Sequence, residues 1–423
     1  MEKQNSRKVI QVEDKVPFSL LVPLSIQHMF AMFGASVLVP FLFNINPAVV
    51  LFMNGIGTLL FIFITKGKAP AYLGSSFAFL APGIAVINQF GYSYALGGFI
   101  AVGFIGCIIS AIIYKFGSDW IDIVLPPAAM GPVVALIGLE LAGSAASTAG
   151  ILSSDGSPIL TQNVIIFAVT LGFAVFGSVL FKGFLSVIPI LIAIIAGYIS
   201  AIFLNAVDFT AVAEAPLFKM PNFSTPSFDI QAILMMLPVI LVIVSEHIGH
   251  QIVTGKIVGR DLLKDPGLHR SLFADNFSTM ISGFIGSVPT TTYGENIGVM
   301  AVTKVYSVRV IAGAGILSII CSFIGKLSEL INTIPGPVIG GISFLLYGMI
   351  GASGIRILID SKVDLGKSEN LVLTSVVFVT GLSGISLNIG SIQLKGMILA
   401  CIVAMAMSLV FHIFRKLNIL EKN

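Results

Sequence analysis

Long apolar stretches, separated by short polar segments, recur along the whole chain. Most are close to the ~20 residues that an α-helix needs to cross the hydrocarbon core of a bilayer. Apolar and polar residues do not alternate in the ~10-residue segments that are typical of an outer-membrane barrel. The pattern predicts an all-α polytopic membrane protein. Its fourteen predicted spans are 17–43, 47–65, 71–90, 94–114, 121–144, 162–181, 184–205, 230–254, 271–287, 289–303, 306–328, 334–354, 369–387 and 394–414.

The third span of each half differs from the others because Gly, Pro, Ser and Thr interrupt it. These two spans are 71–90 and 289–303. Fourteen spans divide into two repeats of seven, and an odd number of spans places the second copy upside down in the membrane. Gln27-His28 and Glu246-His247, in the first span of each half, are a faint echo of such a repeat. Paired broken segments in matching positions indicate the binding site of an inverted-repeat transporter.

Composition agrees with the membrane prediction. Apolar residues make up 56% of the chain and charged residues 10%, with a mean hydropathy of +1.01. A soluble domain carries roughly 25% charged residues, so this chain has too little polar surface to coat a globule in water. The net charge of +3 is small and does not indicate nucleic-acid binding. The three cysteines lie in apolar runs without paired spacing, which is typical of small buried hydrophobic residues.

The basic residues follow the topology that the spans predict. If the N-terminus is cytoplasmic, 20 of the 23 Lys and Arg residues lie at cytoplasmic ends, and Lys219, Lys326 and Lys395 lie at external ends. Cytoplasmic loops carry an excess of Lys and Arg. Adding or removing one span would reverse every later loop and destroy the agreement. The sequence therefore predicts a multi-pass protein in the lipid bilayer of the bacterial inner membrane, with both termini cytoplasmic.

Few ionisable side chains fall at membrane depth, and each is a functional candidate because a charge at the bilayer centre costs at least ~2.5 kcal/mol. Glu246 and His250 are four residues apart and share one face of a helix, whereas His247 points elsewhere. We interpret Glu246 as a substrate or proton site, with a bond to a neighbouring helix as the alternative. His247 and Glu140 are interpreted as structural. The full set is Glu140, Glu246, Glu295, His28, His247 and His250.

The segment from Glu246 to His250 superficially resembles a zinc helix. The zinc motif is H-E-x-x-H, with histidines four apart, whereas the histidines here are three apart. We therefore expect neither a metal nor another cofactor. The sequence shows no Ser–His–Asp set and no phosphate loop, so a membrane enzyme is not predicted.

Glu295 follows an extended stretch, Pro289 to Tyr293, that leads into a short helix. Free backbone N–H groups at such a helix start would face a cavity. The matching segment of the first half is 72–82, and two such half-helices would combine backbone donors, two carboxylates and aromatic faces. This set suits a small flat ligand with an alternating donor–acceptor edge, such as a nucleobase. A carboxyl group there could also take up a proton on one side of the membrane and release it on the other.

The segment Glu295 to Lys304 resembles the signature of the nucleobase–ascorbate transporter family, also called nucleobase:cation symporters. That signature is Gln, Glu or Pro, then Asn, a spacer, Gly, four more residues, Thr and a basic residue. The resemblance extends over about residues 17–415. Further matching stretches are 24–35, 70–79, 126–131 and 246–250.

The resemblance implies fourteen helices in two inverted repeats, with a short strand in spans 3 and 10. A core domain would comprise residues 1–120 and 230–330, and a gate domain residues 121–229 and 331–423. The protein would be a secondary transporter working by alternating access, with a proton as the coupling ion and sodium as the alternative. A homodimer would be compatible with it.

The resemblance also implies roles for individual residues. Glu246 would bind the ring N–H and carbonyl edge of the base, and Glu295 its other N–H. Backbone N–H groups of Phe77 and Gly294 would meet carbonyl oxygens, and His250 would act through water. Proton coupling would involve Glu246, His250 and Glu295. The faces of the ring would be lined by Ala35, Phe77 and Tyr293.

The acid at position 295 narrows the expected substrate. Purine-transporting relatives usually have Gln there, whereas uracil-transporting relatives have Glu, so the resemblance implies uracil. A purine permease for xanthine or urate is the alternative, and an anion exchanger or channel of the same fold is an alternative of another class. One departure from the family pattern is Asn276: the family's Ala-Asp-Gly appears here as Ala274-Asp275-Asn276, so Asp275 is retained but the glycine is not.

Overall fold

The computed structural model describes residues 9–153, 156, 158–183, 185–389 and 392–418, without the side chains of Ala35 and Ile392. Within these residues the fold is almost entirely helical, with two short antiparallel strand pairs. The helices of the first half are α1 (Phe18–Ala31), α2 (Phe33–Phe43), α3 (Pro47–Ile64), α4 (Leu80–Phe90), α5 (Tyr92–Phe116), α6 (Asp119–Val124), α7 (Pro127–Leu139), α8 (Ala142–Thr148), α9 (Thr161–Leu180), α10 (Pro189–Phe203) and α11 (Thr210–Glu214).

The second half is also mostly helical. Its helices are α12 (Ile230–Met236), α13 (Val239–Val258), α14 (Leu268–Ile285), α15 (Gly294–Thr303), α16 (Val308–Ser322), α17 (Gly325–Asn332), α18 (Gly336–Asp360), α19 (Ser368–Leu382) and α20 (Gly396–Lys416). The strands are β1 (Leu73–Ser75), β2 (Thr290–Thr292), β3 (Ser386–Ile389) and β4 (Ile392–Lys395). Short 3₁₀ turns occupy Phe77–Phe79 and Leu185–Val187, and a π-helical turn occupies Leu263–Gly267.

Each of the fourteen predicted segments overlaps one or more of these helices. By length and composition, eight helices among the described residues are suited to crossing a membrane, when helices joined at a kink are counted together. Four further apolar helices are shorter, at 10–17 residues. These four are Phe77–Phe90, Pro189–Phe203, Val308–Ser322 and Ser368–Leu382.

Several predicted spans are broken rather than continuous. The first is divided at Met32, which has φ −91° and ψ −1°, into α1 and α2. The eighth is divided at Pro238 into α12 and α13. Proline cannot donate a backbone hydrogen bond and clashes with the preceding turn, so it interrupts a helix.

The outer surface of the molecule carries many large apolar side chains. Phe63, Val179 and Phe203 are 80%, 78% and 81% exposed. Water would make such a surface unfavourable, whereas lipid chains cover it without cost. The structure is therefore that of a multi-pass membrane protein.

Two groups of helices pack separately. In the first group, α5 runs along α14, α3 lies between α14 and α16, and α1 packs on α16. Small residues permit these close approaches: a side chain at Gly106 of α5 would overlap Asn276 of α14. Close backbone contact at small residues is the usual way in which membrane helices associate. The Asn276 that departs from the family pattern therefore packs directly against a glycine.

The second group comprises α7, α9, α10, α18, α19 and α20. In it, α7 packs on α18 and α19, and α9 packs on α10 and α18. A side chain at Gly138 of α7 would overlap the backbone at Tyr347 of α18. The two groups meet where α10 contacts α1 and α2, where α7 contacts α13, and where α20 contacts α4.

The strand pairs differ in how far the sequence predicted them. β1 and β2 are the strands that the family resemblance implies for spans 3 and 10. The hairpin of β3 and β4 was not predicted. The predicted spans 369–387 and 394–414 included only its outer residues, 386–387 and 394–395, but α19 ends at Leu382 and α20 begins only at Gly396.

The N-terminal segment, residues 9–14 and here called the strap, packs against one end of the first helix group. Ile10 donates to the carbonyl of Lys304 at 3.0 Å and accepts from the N–H of Tyr306 at 2.8 Å. Glu13 accepts hydrogen bonds from the Arg260 guanidinium, which lowers the pKa of Glu13. The strap therefore lies at the C-terminal ends of α13 and α15.

Candidate functional site

A two-stranded ribbon lies at the centre of the first helix group. β1 and β2 run antiparallel, with Leu73 opposite Thr292 and Ser75 opposite Thr290. The N–H of Ser76 extends the pairing by donating to the carbonyl of Pro289 at 2.8 Å. Each strand leads into a helix, β1 through the turn Phe77–Phe79 into α4 and β2 through Tyr293 into α15. Free N–H groups of both helix starts are therefore held next to the ribbon.

Two aromatic rings pack against each other at a tilt where the ribbon meets these helices. The ring centroids of Phe77 and Tyr293 lie 5.9 Å apart at an interplanar angle of 56°. The hydroxyl of Tyr293 donates to the carbonyl of Ser75 and fixes the ring against β1. A side chain at Gly74 would come within 3.1 Å of the Tyr293 ring, so glycine permits this packing. The rings offer a stacking surface for a flat ligand.

Two carboxyl groups converge beside the rings. Glu246 is on α13, which packs against both α15 and the turn Phe77–Phe79, and Glu295 is in the first turn of α15. Both side chains are half-buried, and the carboxyls are close enough to interact electrostatically. The Oε2 atom of Glu246 is buried and has no hydrogen-bond partner among the described residues. A buried acceptor without a partner is costly, so this atom is suited to binding a donor from a ligand.

His250 completes the arrangement from the same face of α13 as Glu246. Its Nδ1 lies 3.1 Å from Oγ1 of Thr292. Its Nε2 would lie 3.8 Å from a Cβ atom at Gly294, so the ring covers the start of α15. The structure thus brings together Glu246, His250, Gly294 and Glu295, as the sequence analysis expected.

His247 is fully buried and contacts α14 and the strand β2. Its Nε2 is 3.0 Å from Oγ of Ser271, and its Nδ1 is 3.4 Å from Oγ1 of Thr292. The carboxylate of Asp275 accepts from the N–H of Thr292 at 3.1 Å and lies 3.7 Å from Nδ1 of His247. This arrangement agrees with the structural interpretation of His247.

A second buried contact joins α1 to the start of α15. The side-chain amide of Asn296 donates to Nδ1 of His28 at 2.8 Å, and its oxygen lies 3.4 Å from the N–H of Tyr72. Asn296, which directly follows Glu295, therefore connects the start of α15 both to α1 and to the residue before β1. The sequence analysis assigned no role to Asn296, although the Glu-Asn pair of the family signature was a signal.

Glu140, another ionisable residue from the sequence analysis, is not part of this cluster. Glu140 lies between α7 and α8, and its Oε2 accepts from the N–H of Met397 at 2.8 Å, at the start of α20. A carboxylate at a helix N-terminus is a stabilising cap, which agrees with the structural interpretation of Glu140. Ala35 belongs to α2, but its side chain lies outside the described residues.

The site can bind a neutral planar ligand and exchange protons. Its acceptors are carboxylate oxygens, its donors are backbone N–H groups, and its walls are aromatic. Two carboxylates would repel an anion. Among the described residues, no group of three His, Cys, Asp or Glu side chains is placed to hold a metal ion.

Comparison with known sequences gives consistent matches over nearly the whole chain. A family model described as "Permease family" matches residues 20–390. The chain is 55% identical over 413 residues to "Uracil permease" of Escherichia coli (strain K12), covering 98% of this chain and 96% of that one. It is 52% identical over 414 residues to "Uracil permease" of Paenibacillus larvae subsp. larvae, covering 97% and 98%.

The fold also resembles that of solved membrane transporters. The mouse Solute Carrier 26 family member A9, an anion transporter in the inward-facing state, superimposes with a TM-score of 0.72 and 11% identity. The match covers 95% of this chain and 69% of that chain. At this identity the likeness concerns the fold alone.

Proposed function

This chain belongs to the permease family that its sequence matches, and we propose that it carries uracil into the cell together with a proton by alternating access. The observation that carries the proposal is the buried Oε2 atom of Glu246, which has no hydrogen-bond partner among the described residues, beside Glu295 and two aromatic rings. Relatives named as uracil permeases support the substrate. The family consists of transporters rather than enzymes.

Uracil presents an alternating edge of carbonyl and N–H groups that matches this site. Glu246 accepts from one ring N–H, and Glu295 accepts from the other. Backbone N–H groups of Phe77 and Gly294 donate to the carbonyl oxygens, because both residues begin helical segments beside the ribbon. Phe77 and Tyr293 cover the faces of the ring, and we assign Ala35 to the same wall from its position in α2.

Proton coupling supplies the driving force that a neutral substrate lacks. Moving a bare carboxylate through the low-dielectric interior is costly, and protonation removes that cost. Glu246 and Glu295 are placed to take up the proton and release it on the other side, and His250 takes part in this coupling while it contacts the ligand through water. The hydrogen bond of His250 to Thr292 orients the ring for this role.

The architecture that we propose has fourteen membrane segments in two inverted repeats of seven. The first helix group belongs to the core domain, residues 1–120 and 230–330. The second helix group belongs to the gate domain, residues 121–229 and 331–423. The close packing within each group and the looser contacts between them support this division. The homodimer stays a prediction.

The alternative functions differ in what the site would have to bind. The anion transporter with a similar fold suggests an anion exchanger or channel, but the paired carboxyls disfavour a negatively charged ligand. A purine permease for xanthine or urate would have to place a larger ring system against Glu295. Neither alternative is supported by the 55% identical relative named as a uracil permease.

The substrate is tested by uptake in membrane vesicles that contain the protein. We expect radiolabelled uracil to enter, and we expect unlabelled uracil, but not xanthine, urate or an inorganic anion, to compete. Vesicles without the protein are the control. Equal competition by xanthine or urate would replace uracil with a purine as the substrate.

The topology is tested by reporter fusions. Both termini are proposed to face the cytoplasm of a cell whose inner membrane holds the protein, because the basic residues favour it. A reporter that is active only in the cytoplasm is expected to be active when it is fused after Asn423. The same reporter fused after Asn222, in the loop between α11 and α12, is expected to be inactive, whereas a reporter that is active only outside should work there. Activity of such an external reporter after Asn423 would contradict the topology.

A further inference from the structure

A second cleft lies away from the carboxyl site, and its walls are rich in amide side chains. Its volume is about 440 Å³, within the range of small-molecule sites. One wall is the last part of α4 together with Met235 of α12, and the other is the hairpin of β3 and β4. The polar and apolar lining includes Asn88, Gln89, Met235, Asn388, Gln393 and Lys395.

The hairpin wall presents its amides as a pair. Asn388 and Gln393 are directly opposite each other in the register of β3 and β4. Opposed residues of an antiparallel pair lie on the same face of the sheet, with Cβ atoms ~4.5–5.5 Å apart. Asn88 on the facing wall, in the last turn of α4, adds another amide. Donors and acceptors therefore face the cleft from both sides.

The cleft lies between the two helix groups, at the end of the molecule opposite the N-terminal strap. Met235 precedes α13, whereas Arg260, which binds the strap, follows it. The 20 residues of α13 separate these ends by roughly 30 Å. In the proposed topology this is the external end.

A single helix connects the cleft to the carboxyl site. α4 begins directly after the turn that contains Phe77, and its last turn contains Asn88. Its 11 residues span roughly 16 Å. On the other wall, β4 continues directly into α20, whose first turn is capped by Glu140. The hairpin is thus fixed to the gate group, while Asn88 belongs to the core group.

We propose that this amide-lined cleft is an outer binding site that captures uracil before it reaches the carboxyl site, a role that rests on the proposed function. Each amide carries both a donor and an acceptor, so an amide can bind the neutral O=C–NH–C=O edge of the base in a paired geometry. Lys395 adds a donor for a carbonyl oxygen. The lining contains no carboxylate, so the cleft is suited to the neutral base and not to a cation.

The test compares both orientations of the membrane with the variant Asn388→Ala/Gln393→Ala. In right-side-out vesicles the KM for uracil uptake is expected to rise roughly fivefold or more, as losing one or two neutral hydrogen bonds predicts. In inverted vesicles the KM is expected to remain at the wild-type value, because uracil then approaches from the strap end. Asn88→Ala, on the opposite wall, should raise the right-side-out KM in the same direction.

The control is Asn222→Ala, which removes an exposed amide from the loop between α11 and α12 and should change neither KM. An unchanged KM of the double variant in right-side-out vesicles, or an equal rise in both orientations, would overturn the outer site. Activity in inverted vesicles shows that the variant is folded. If the unaltered protein transports no uracil in either orientation, the proposed function fails, which is a distinct result.

Discussion

Glu295→Gln is expected to weaken uracil binding about tenfold to more than a hundredfold, the effect of losing a hydrogen bond to a charged group worth ~1.5–3 kcal/mol. Glu295 is in the first turn of α15, beside the unpartnered carboxyl of Glu246. Glutamine keeps the shape of the side chain but presents donors where the carboxylate only accepts. If the amide presents its NH2 to the ring N–H, the hydrogen bond is lost, and if it presents its oxygen, a neutral acceptor replaces the stronger charged one, so the affinity falls in either orientation.

Equilibrium binding of radiolabelled uracil to the purified protein measures this change. Glu140→Gln is the matched control, because Glu140 accepts a single hydrogen bond from Met397 N–H at 2.8 Å and glutamine retains an acceptor oxygen. We expect that control to bind uracil as the unaltered protein does. Unchanged affinity in Glu295→Gln would mean that Glu295 does not contact the substrate.

His250→Ala is expected to abolish accumulation while leaving most of the binding. His250 is assigned a contact through water, and a water-mediated hydrogen bond contributes no more than a direct neutral one. We therefore expect the affinity for uracil to change by roughly fivefold or less. Without the imidazole the proton and the substrate are no longer linked, so uracil should only equilibrate across the membrane.

Binding and steady-state accumulation in the same preparation separate these effects. His412→Ala is a suitable control because His412 is half-buried near the end of α20, in the gate group. It should accumulate uracil normally. Equal losses of binding and accumulation in His250→Ala would contradict a coupling role and indicate a direct substrate contact instead.

Local patterns in the sequence were sufficient for the helices and for part of the site. Apolar runs mark the long helical segments because lipid and core both require apolar surfaces, whereas the short helix α11 lies outside every predicted span. The spacing of Glu246 and His250 placed both on one face of α13, where the structure has them. Proline and glycine in spans 3 and 10 indicated broken segments, and these segments contain β1 and β2.

Contacts between distant segments could not be predicted in this way. The bond between His28 and Asn296 joins residues 268 positions apart, and no local pattern specifies such a pairing. Asp275 was noted only as a retained residue of the family pattern with no role assigned, yet its carboxyl group accepts a hydrogen bond from the backbone N–H of Thr292. The β3–β4 hairpin was missed because its outer apolar residues, Leu387 and Leu394, extend the apolar runs of α19 and α20.

The most direct test of the account is uracil uptake into proteoliposomes under one imposed gradient at a time. With an inward proton gradient and no sodium, we expect uracil to accumulate inside, and we expect a protonophore to abolish the accumulation. With an inward sodium gradient and equal pH on both sides, we expect uracil only to equilibrate. Accumulation that follows the sodium gradient and ignores the proton gradient would contradict proton-coupled uracil import.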